Sequence, residues 1–445
     1  MERIYFIGIN GIGMSGLAKI MKLKGYDVVG ADLSRNYVTE ELESLGIKVF
    51  GEHLAENVIG ADLVVASSAI KSENSEIKKA LELGIKIIKR GELLSILMNK
   101  EKGIAVAGTH GKTTTSSMLG SLLLDIDPTI VVGGILPEIG SNSRFGKTDV
   151  FIAEADESDN SFLYLTPEIS IITNIEADHL ENHGCLENIK KSFRQFMDQT
   201  SGEILVCDDC PEALELAKDR KNIKTYSIYK KESDIIATDI RVENFKTKFK
   251  VSIEGDEFGE FELSIPGNHN IQNALPVIYL AKKYGISKER IAQKLLNFKG
   301  AKRRYDILHS DKIRIIDDYA HHPTEIKATI QGAKTIEKNK TVAIFQPHRY
   351  SRVNFLLNEF KGSFEGVDEV ILMPVFSAGE KNEFGVTLEK LKEKIGHKHC
   401  TIVEKNEEIE KIVESESESA TFLFMGAGNI SSLAHTIAEN IGRIR

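Results

Sequence analysis

The amino-acid sequence predicts an α/β protein built from three domains. Its 445 residues are too many for one ordinary hydrophobic core, so roughly two to four domains are expected. Short apolar runs, typical of buried strands, alternate with helical patterns along most of the chain, and this alternation indicates mostly parallel sheets covered by helices. Polar breaks at residues 99–103 and 298–304 divide the chain into segments 1–102, 103–301 and 302–445.

The first segment begins with an apolar run, a glycine-rich turn and a helical pattern. Strands are predicted at residues 3–7, 28–31, 63–67 and 85–89, and a helix at 14–24. The turn starts at Gly8, and its residues Gly11, Gly13 and Gly16 match G-x-G-x-x-G. Asp32 follows the second strand, at the spacing typical of dinucleotide-binding turns. The pattern predicts a pyrophosphate at the helix N-terminus, from either a dinucleotide or a UDP-sugar.

The second segment opens with the most informative stretch of the chain. A buried-strand run ends in Gly108-Thr109-His110-Gly111-Lys112-Thr113, and a helical pattern starts at Thr114. Such a loop directs backbone N–H groups and a helix N-terminus at one place, where polyphosphate binds. We expect Lys112 to neutralise the outer phosphates and the Thr113 hydroxyl to ligate magnesium. Although Val106 stands where the usual longer pattern has its early glycine, the sequence predicts ATP binding.

Two polar clusters follow strands of the same segment. Glu154 opens the acidic run 154–159 after a predicted strand at 150–153, and His179 closes the run 174–179 after a strand at 169–173. We expect both clusters at the sheet edge that carries the phosphate loop, where they can hold magnesium against phosphate oxygens. The alternative is a solvated acidic loop beside a structural histidine.

The rest of the second segment contains a change of pattern. Between residues 234 and 265, apolar and polar positions alternate between turn residues, which predicts antiparallel strands added to the α/β core. Helices are predicted at 268–283 and 288–296. Asn270 and Asn273 lie at the start of the first of these helices, where their amide groups can contact an adenine edge or simply cap the helix.

The last segment repeats the strand–helix pattern. Strands are predicted at residues 313–317, 341–345, 369–373, 400–403 and 421–425. Ligands of open α/β sheets bind beyond the carboxyl ends of the strands, and these ends carry residues 317–323, 346–352, 374–376 and 426–429. Histidines, arginines and an aspartate collect there, which indicates a binding site; the alternative is a set of solvated basic loops.

Bulk composition argues against several classes of function. The chain is 41% hydrophobic and 28% charged, as is typical of a soluble globular protein, and its net charge of −9 argues against a general nucleic-acid or membrane-surface binder. No apolar stretch is long enough for a transmembrane helix, and the glycine-interrupted N-terminus does not fit a signal peptide. The four cysteines lack a convincing metal pattern, which indicates reduced thiols in a cytoplasmic protein.

Taken together, these motifs resemble those of the Mur ligase family from end to end. The similarity includes the glycine-rich turn, the phosphate loop and both polar clusters, and it continues through residues 269–274, 303–305, 317–325, 346–352 and 426–430. Asn10 is a departure, since the family usually has glycine there. The resemblance implies a Rossmann-like N-terminal domain, a P-loop ATPase-like central domain with added antiparallel strands, and a Rossmann-like C-terminal domain.

Within this family the chain is most similar to the branch that acts on UDP-N-acetylmuramate and L-alanine. The resemblance implies that ATP and Mg²⁺ convert the lactyl carboxylate to an acyl phosphate, from which the amine of L-alanine displaces phosphate. Such a reaction serves peptidoglycan synthesis, and through it cell wall biogenesis, cell shape and cell division. We expect a cytoplasmic monomer or weak homodimer with no nucleic-acid or membrane partner.

The resemblance also implies roles for individual residues. The predicted catalytic residues are Lys112, His179, His348 and Arg349. ATP contacts are expected from Gly108, Thr109, His110, Gly111, Lys112, Thr113, Thr114, Asn270, Asn273 and Arg304. The predicted metal ligands are Thr113, Glu154 and His179. The UDP-sugar is expected at Gly8, Gly11, Ile12, Gly13, Asp32 and Ser67, and the amino acid or intermediate at Tyr319, His321, His348, Arg349 and Arg352.

Three alternatives explain parts of the sequence. An NAD-dependent oxidoreductase accounts for the glycine-rich turn but gives no role to Lys112, Glu154 and His179. A non-enzymatic ATP-dependent switch has no need of the histidine and arginines at 346–352. A murein peptide-recycling ligase of the same family shares the N-terminal and central motifs, and the run 346–352 favours the enzyme that adds a single amino acid.

Overall fold

A computed structural model describes residues 2–243 and 246–443, and within these ranges the chain forms three sheets with helices packed against them. We refer to each sheet and its helices as a unit. This architecture confirms the predicted α/β class with three parts.

The N-terminal unit is a parallel sheet. Its strands are β1 (Arg3–Ile7), β2 (Asp27–Ala31), β3 (Lys48–Phe50), β4 (Leu63–Ala66) and β5 (Lys86–Lys89), and its helices are α1 (Ile12–Leu23), α2 (Tyr37–Ser44), α3 (Ser75–Glu82) and α4 (Arg90–Met98). The strand order is β3-β2-β1-β4-β5. Because β1 lies between β2 and β4, the glycine-rich turn at its carboxyl end occupies the point where the strand order reverses, the usual ligand position in such sheets.

The central unit is a larger mixed sheet. Its strands are β6 (Lys102–Ala107), β7 (Thr129–Leu136), β8 (Ser141–Arg144), β9 (Val150–Glu154), β10 (Ile169–Ile172), β11 (Ile204–Cys207), β12 (Ile223–Ser227), β13 (Ile235–Glu243), β14 (Lys246–Ile253) and β15 (Asp256–Leu263). Its helices are α5 (Lys112–Leu123), α6 (Leu180–His183), α7 (Leu186–Asp198), α8 (Pro211–Ala217), α9 (Asn268–Lys283) and α10 (Lys288–Asn297).

Strand order in this sheet brings the predicted site loops together. The order is β15-β14-β13-β12-β11-β10-β6-β9-β7-β8, and β13, β14 and β15 pair in antiparallel fashion as predicted. Strand β6 lies between β10 and β9 and is parallel to both. The phosphate loop and the two polar clusters therefore lie at one edge of the sheet, which confirms that expectation.

Strand β6 begins inside the predicted polar break at residues 99–103. The strand already begins at Lys102, and Gly103 is buried. A Cβ atom at Gly103 would lie 2.6 Å from Cε and 3.0 Å from Cγ of Met98, so a larger residue there would require the Met98 side chain of α4 to shift. The glycine is thus a packing residue and not part of a linker.

The C-terminal unit is a parallel sheet with one antiparallel edge strand in its described part. Its strands are β16 (Asp306–Ser310), β17 (Ile313–Asp318), β18 (Lys340–Phe345), β19 (Glu369–Leu372), β20 (Cys400–Ile402) and β21 (Ala420–Met425). Its helices are α11 (Pro323–Ile336), α12 (Tyr350–Phe355), α13 (Leu388–Ile395), α14 (Asn406–Glu414) and α15 (Ile430–Arg443). The order is β16-β17-β21-β18-β19-β20; the strands expected from the apolar runs are confirmed, and β16 is additional.

The hydrophobic cores show how the units are joined. One continuous cluster of buried apolar side chains runs from Ile4 in the N-terminal unit to Phe298 in the central unit. The C-terminal unit has separate clusters on the two faces of its sheet. The first two units thus share a core, whereas the third meets them mainly through polar contacts. Within the described ranges, no helix has the length and apolarity needed to cross a membrane.

An aromatic cluster gives a test of the central core. Phe162 is fully buried, and its ring centroid lies 5.2 Å from that of Phe193 and 5.0 Å from that of Phe196. We expect Phe162→Ala to lower the free energy of unfolding by about 3–5 kcal/mol, because it leaves a cavity among packed rings. Urea denaturation checks this against Tyr164→Ala, whose side chain is 46% exposed. Equal losses in the two variants would contradict the packing described.

Candidate active site

A cavity of about 750 Å³ opens where the three units meet. The N-terminal unit contributes Ile12 and Tyr37 to its wall. The central and C-terminal units contribute the predicted site residues Thr109, His110, Gly111, Lys112, Thr113, Glu154, His179, Arg304, Tyr319, His321, His348, Arg349 and Arg352. A second cavity of about 320 Å³ is lined by Thr114, Asn270 and Asn273, and His110, Gly111, Arg304 and Glu325 line both. The two cavities therefore adjoin at the phosphate loop.

Two glycines shape the phosphate loop. Gly108 has a φ of +141°, and a Cβ atom there would lie 1.9 Å from Oγ1 of Thr173. Gly111 has a φ of +81° and precedes the first residue of α5, so the loop turns directly into the helix. The backbone N–H of His110 donates to Oδ1 of Asn174 at 2.8 Å. The chain after β10 thus braces the loop, and no larger residue fits at Gly108 without moving it.

Lys112 is held inside this loop. Its Nζ donates to the carbonyl oxygens of Gly108 (2.6 Å) and Thr109 (3.0 Å) and forms an ion pair with Glu157 at 2.8 Å. Burial lowers the pKa of Lys112, but the Glu157 and Asp156 carboxylates outweigh burial and raise it. The side chain is therefore a buried cation at the N-terminus of α5.

Oxygen donors converge beside Lys112. The Thr113 hydroxyl donates to Oε1 of Glu154 at 3.0 Å, and the N–H of Gly133 donates to Oε2 of the same carboxylate at 2.8 Å. Gly133 leaves room for this contact, since a Cβ there would lie 2.7 Å from that oxygen. Hydroxyl and carboxylate oxygens are ligands that Mg²⁺ prefers. His179 lines the same cavity, with its ring nitrogens 3.6 Å from Asp178 and Glu181.

The C-terminal unit presents two histidines with different tautomers. His321 Nδ1 lies 2.9 Å from the carbonyl oxygen of Tyr319, so Nδ1 carries the proton and Nε2 keeps its lone pair. His348 Nδ1 accepts from Arg352 at 3.1 Å, which leaves the proton on Nε2. Burial lowers the pKa of His321 to about 3, and burial together with Arg352 lowers the pKa of His348 to about 4. Both rings are neutral at pH 7; one offers an acceptor and the other a donor.

Arg352 and Arg349 play different parts in the structure. Arg352 is buried and donates from Nε to Oδ1 of Asp178, also buried, at 3.2 Å, so it joins the C-terminal unit to the central unit. Arg349 is more exposed, and its Nη1 lies 3.6 Å from Glu181 and 4.0 Å from Glu380. Of these two predicted arginines, Arg349 has the guanidinium that is more available to a ligand.

A histidine–glutamate cluster lies where the central and C-terminal units meet. Ligand atoms of His110, Glu176 and His322 lie within 4.8 Å of one another. Burial lowers the pKa of His110, but hydrogen bonds with Glu176 and Glu325 outweigh it and raise the pKa to about 10. His322 Nδ1 accepts the N–H of Thr324 at 3.2 Å, which leaves the proton on Nε2. Together these side chains form an ion-pair network between the central and C-terminal units.

The predicted UDP-sugar residues lie in and around the glycine-rich turn. Ile12 lines the large cavity, whereas Gly8, Gly11, Gly13, Asp32 and Ser67 form or flank the turn. Both carboxylate oxygens of Asp32 accept backbone N–H groups, from Asn10 and Ser34 at 3.0 Å each. Asn10 itself donates to the Ser34 carbonyl and to Thr39. Asp32 and Asn10 thus brace the turn, and the predicted ligand contacts of these residues stay predictions.

Sequence reasoning missed several residues at the cavity. Glu157 pairs with Lys112, and Glu325 contacts His110 and His321. Arg90, the first residue of α4, lies 3.5 Å from Asp156 and would lie 2.9 Å from a Cβ at Gly13. Arg90 directly follows a strand, and this position was an available signal. Glu325 ends the matching run 317–325 and lies four residues after His321, but its contact with His110 had no comparable signal, because His110 lies far away in the sequence.

Three models of known protein families match the chain, one in each of the three units. The model of the Mur ligase family catalytic domain matches residues 3–102, the Mur ligase middle domain 106–281, and the Mur ligase glutamate ligase domain 303–428. The chain belongs to the Mur ligase family. It is therefore an ATP-dependent ligase, as the sequence predicted, and the oxidoreductase and non-enzymatic alternatives fall away.

Individual Mur ligases match along their full length. The UDP-N-acetylmuramate–L-alanine ligase of Fusobacterium nucleatum is 57% identical, over 99% of this chain and 97% of that protein. The crystal structure of the UDP-N-acetylmuramate–alanine ligase of Thermotoga maritima has a TM-score of 0.84 and 32% identity and covers 100% of both chains. A murein peptide ligase of Psychrobacter arcticus has a TM-score of 0.73 at 23% identity, also over 100% of both chains, which shows a shared fold.

The geometry of the phosphate loop predicts that Lys112→Ala abolishes ligation by this Mur ligase while the fold is retained. Loss of the cation at the N-terminus of α5 removes charge stabilisation in the transition state, and we expect the rate to fall by about 10²–10³. Steady-state phosphate release measures the rate, and circular dichroism checks the fold. Lys100→Ala, an exposed lysine just before β6, is the control. Near-normal turnover of Lys112→Ala would contradict the assignment of the loop.

Proposed function

We propose that this Mur ligase joins L-alanine to the lactyl carboxylate of UDP-N-acetylmuramate through an acyl phosphate, with ATP converted to ADP and phosphate. The observation that carries the proposal is the single cavity in which Lys112, Glu154 and the neutral His321 face one another from two units. The names of the matching enzymes from Fusobacterium nucleatum and Thermotoga maritima support the same reaction.

The smaller cavity suits the adenine of ATP. Asn270 donates from Nδ2 to the carbonyl of Pro266 at 2.6 Å, which fixes its amide plane. Asn273 lies against the phosphate loop, since a Cβ at Gly111 would be 2.7 Å from its Oδ1. With the base here, the phosphates extend over Gly111 toward Lys112, and their oxygens take the place of Glu157 as partners of Nζ. Arg304, which lines both cavities, adds a second cation beside the phosphates.

Magnesium fits the oxygen donors at the end of β9. Thr113 and Glu154 would hold one ion and His179 a second, because hydroxyl, carboxylate and imidazole groups all face the cavity. Bound there, Mg²⁺ supplies charge neutralisation for the phosphoryl group in transfer.

The C-terminal unit provides the groups for the amino acid. Arg349 offers its guanidinium to the α-carboxylate, in the two-point geometry that suits this pair. The proton on His348 Nε2 can stabilise negative charge, and the lone pair on His321 Nε2 can accept a hydrogen bond that orients the amine as it attacks the acyl phosphate. The Tyr319 ring, whose centroid lies 4.9 Å from the guanidinium carbon of Arg303 and 5.1 Å from that of Arg304, limits the room for the side chain of the amino acid.

The cellular setting follows from the reaction. UDP-N-acetylmuramate is a cytoplasmic precursor of peptidoglycan, so we place the enzyme in the cytoplasm and in cell wall synthesis. Its partners are its two substrates and ATP. A monomer or weak homodimer stays a prediction.

A phosphate-release assay tests the proposed function. With ATP, Mg²⁺ and UDP-N-acetylmuramate, we expect phosphate release that depends on L-alanine, with one UDP-linked product formed per phosphate. Supplying L-alanyl-γ-D-glutamyl-diaminopimelate in place of L-alanine separates this enzyme from a murein peptide ligase. If the tripeptide were used and L-alanine were not, the proposal would be wrong.

The metal assignment predicts that Glu154→Gln raises the Mg²⁺ concentration needed for half-maximal activity. The change removes one ligand charge while the hydrogen bond from Gly133 can persist, and we expect a shift on the order of tenfold or more. Titration of activity with Mg²⁺ at saturating ATP measures the shift. Glu168→Gln, an exposed glutamate of the same unit, is the control. An unchanged Mg²⁺ requirement would rule out Glu154 as a ligand.

The position of Tyr319 predicts the preference for a small amino acid. A ring at this place can distinguish amino acids that differ by one or two methylenes by only about 1–3 kcal/mol of transition-state binding. Serine and glycine should therefore be rejected only in part. We expect Tyr319→Ala to increase the relative kcat/KM for larger amino acids by roughly the same free energy. Competition between acceptors, followed by mass spectrometry, measures the ranking, with the exposed Tyr229→Ala as control. The same ranking in both variants would contradict this role.

A further inference from the structure

The carboxylate of Glu325 contacts residues of the phosphate loop, of the acceptor side and of the region between the two cavities. Its oxygens lie 3.4 Å from His110 Nδ1 on the phosphate loop, 3.3 Å from His321 Nδ1 on the acceptor side, and 3.7 Å from Arg304 Nη1 between the two cavities. The side chain is only 12% exposed and lines both cavities. It is the third residue of α11, where Oε2 also accepts the backbone N–H groups of His321 (3.1 Å) and His322 (3.3 Å).

We propose that Glu325 is a positioning residue that holds His321 for the acceptor amine and ties this part of the site to the phosphate loop through His110. The proposal rests on the function proposed above. A carboxylate beside Nδ1 fixes the imidazole with its proton on that nitrogen, so that Nε2 keeps the lone pair that the amine needs. Glu325 itself does not have to touch either substrate in order to act.

The link to His110 makes this positioning depend on docking of the C-terminal unit. His110 belongs to the central unit, and Glu176 of the same unit lies 3.5 Å from its Nε2. Glu325 Oε1 reaches Nδ1 of the same ring from the C-terminal unit, and Arg304 Nη1 lies 3.7 Å from that same oxygen. The ring centroids of His110 and His322 are 4.5 Å apart. Burial raises the pKa of Glu325, but the His321, His110 and Arg304 side chains together outweigh burial and hold it well below its usual range. The negative charge of Glu325 thus has a cationic partner on the loop that binds ATP.

The helix cap provides a way to separate this role from a structural one. Glutamine at the third position of a helix can accept the same backbone N–H groups as glutamate, so Glu325→Gln keeps the cap and removes the charge. Glu337, at the other end of α11, is also buried, with 5% of its side chain exposed, and it pairs with Arg314 and Thr421. Glu337→Gln is therefore a matched control for loss of a buried, ion-paired glutamate.

Steady-state kinetics and thermal unfolding of the full chain test the proposal. For Glu325→Gln we expect kcat to fall and the KM for L-alanine to rise, each by about tenfold, the scale for a lost charged hydrogen-bond partner, with a smaller rise in the KM for ATP and a loss of Tm no larger than that of Glu337→Gln. For Glu337→Gln we expect a lower Tm with both KM values unchanged. Wild-type phosphate release that depends on both substrates first establishes the function itself, so its failure is distinguishable from failure of this proposal.

A double-mutant cycle identifies the residue through which Glu325 acts, even if Glu325→Gln is less stable than expected. When His321 is replaced by Asn, a further change of Glu325 to Gln should leave the KM for L-alanine at the value of His321→Asn alone. If the double variant raised this KM by the product of the two single effects, the proposal would be overturned. An unchanged kcat and alanine KM in a folded Glu325→Gln variant would also overturn it.

Discussion

The buried ion pair between Arg352 and Asp178 holds the acceptor side of the site against the ATP side. Its two side chains come from different units, and both are almost completely removed from water. The Asp178 carboxylate is buried, which raises its pKa, but Arg352 and nearby histidines outweigh burial and hold the pKa well below its usual range. Breaking such a buried pair by removing one partner typically costs about 3–5 kcal/mol. The large cavity therefore has its complete wall only while this contact is made.

The two interfaces between the units differ in kind, and this difference makes the C-terminal unit the one suited to move against the other two. The N-terminal and central units share one apolar core, so separating them exposes hydrophobic surface to water. The C-terminal unit meets the central unit through charged and hydrogen-bonding groups such as Arg352–Asp178 and Thr324–Glu176. Water can solvate these groups when this interface opens, which lowers the cost of letting substrates in. The proposed reaction needs an open and a closed form of this interface, because UDP-N-acetylmuramate, ATP and L-alanine must enter and water must then be kept from the acyl phosphate.

Much of the fold and part of the site could be predicted because the signals are local. The strands of the parallel sheets are continuous apolar runs, and the phosphate loop is one stretch between a strand and a helix. Strand β16 escaped prediction because most of its positions are half-buried or exposed, which leaves no apolar run. The partnership of Glu325 with His110 escaped as well, since it exists only after two units dock. Asp32 shows a role that its spacing did not indicate: its oxygens accept backbone N–H groups of the turn, and its predicted ligand contact stays a prediction.

The most direct test of this account is a crystal structure with UDP-N-acetylmuramate, Mg²⁺ and a non-hydrolysable ATP analogue. We predict that the UDP-sugar spans from the glycine-rich turn to the large cavity, with a lactyl carboxylate oxygen about 3.5 Å from the γ-phosphorus. Lys112 Nζ should contact the phosphates in place of Glu157, and the Arg352–Asp178 pair should be intact. A lactyl carboxylate outside the cavity, or a γ-phosphate away from Lys112, would contradict the account.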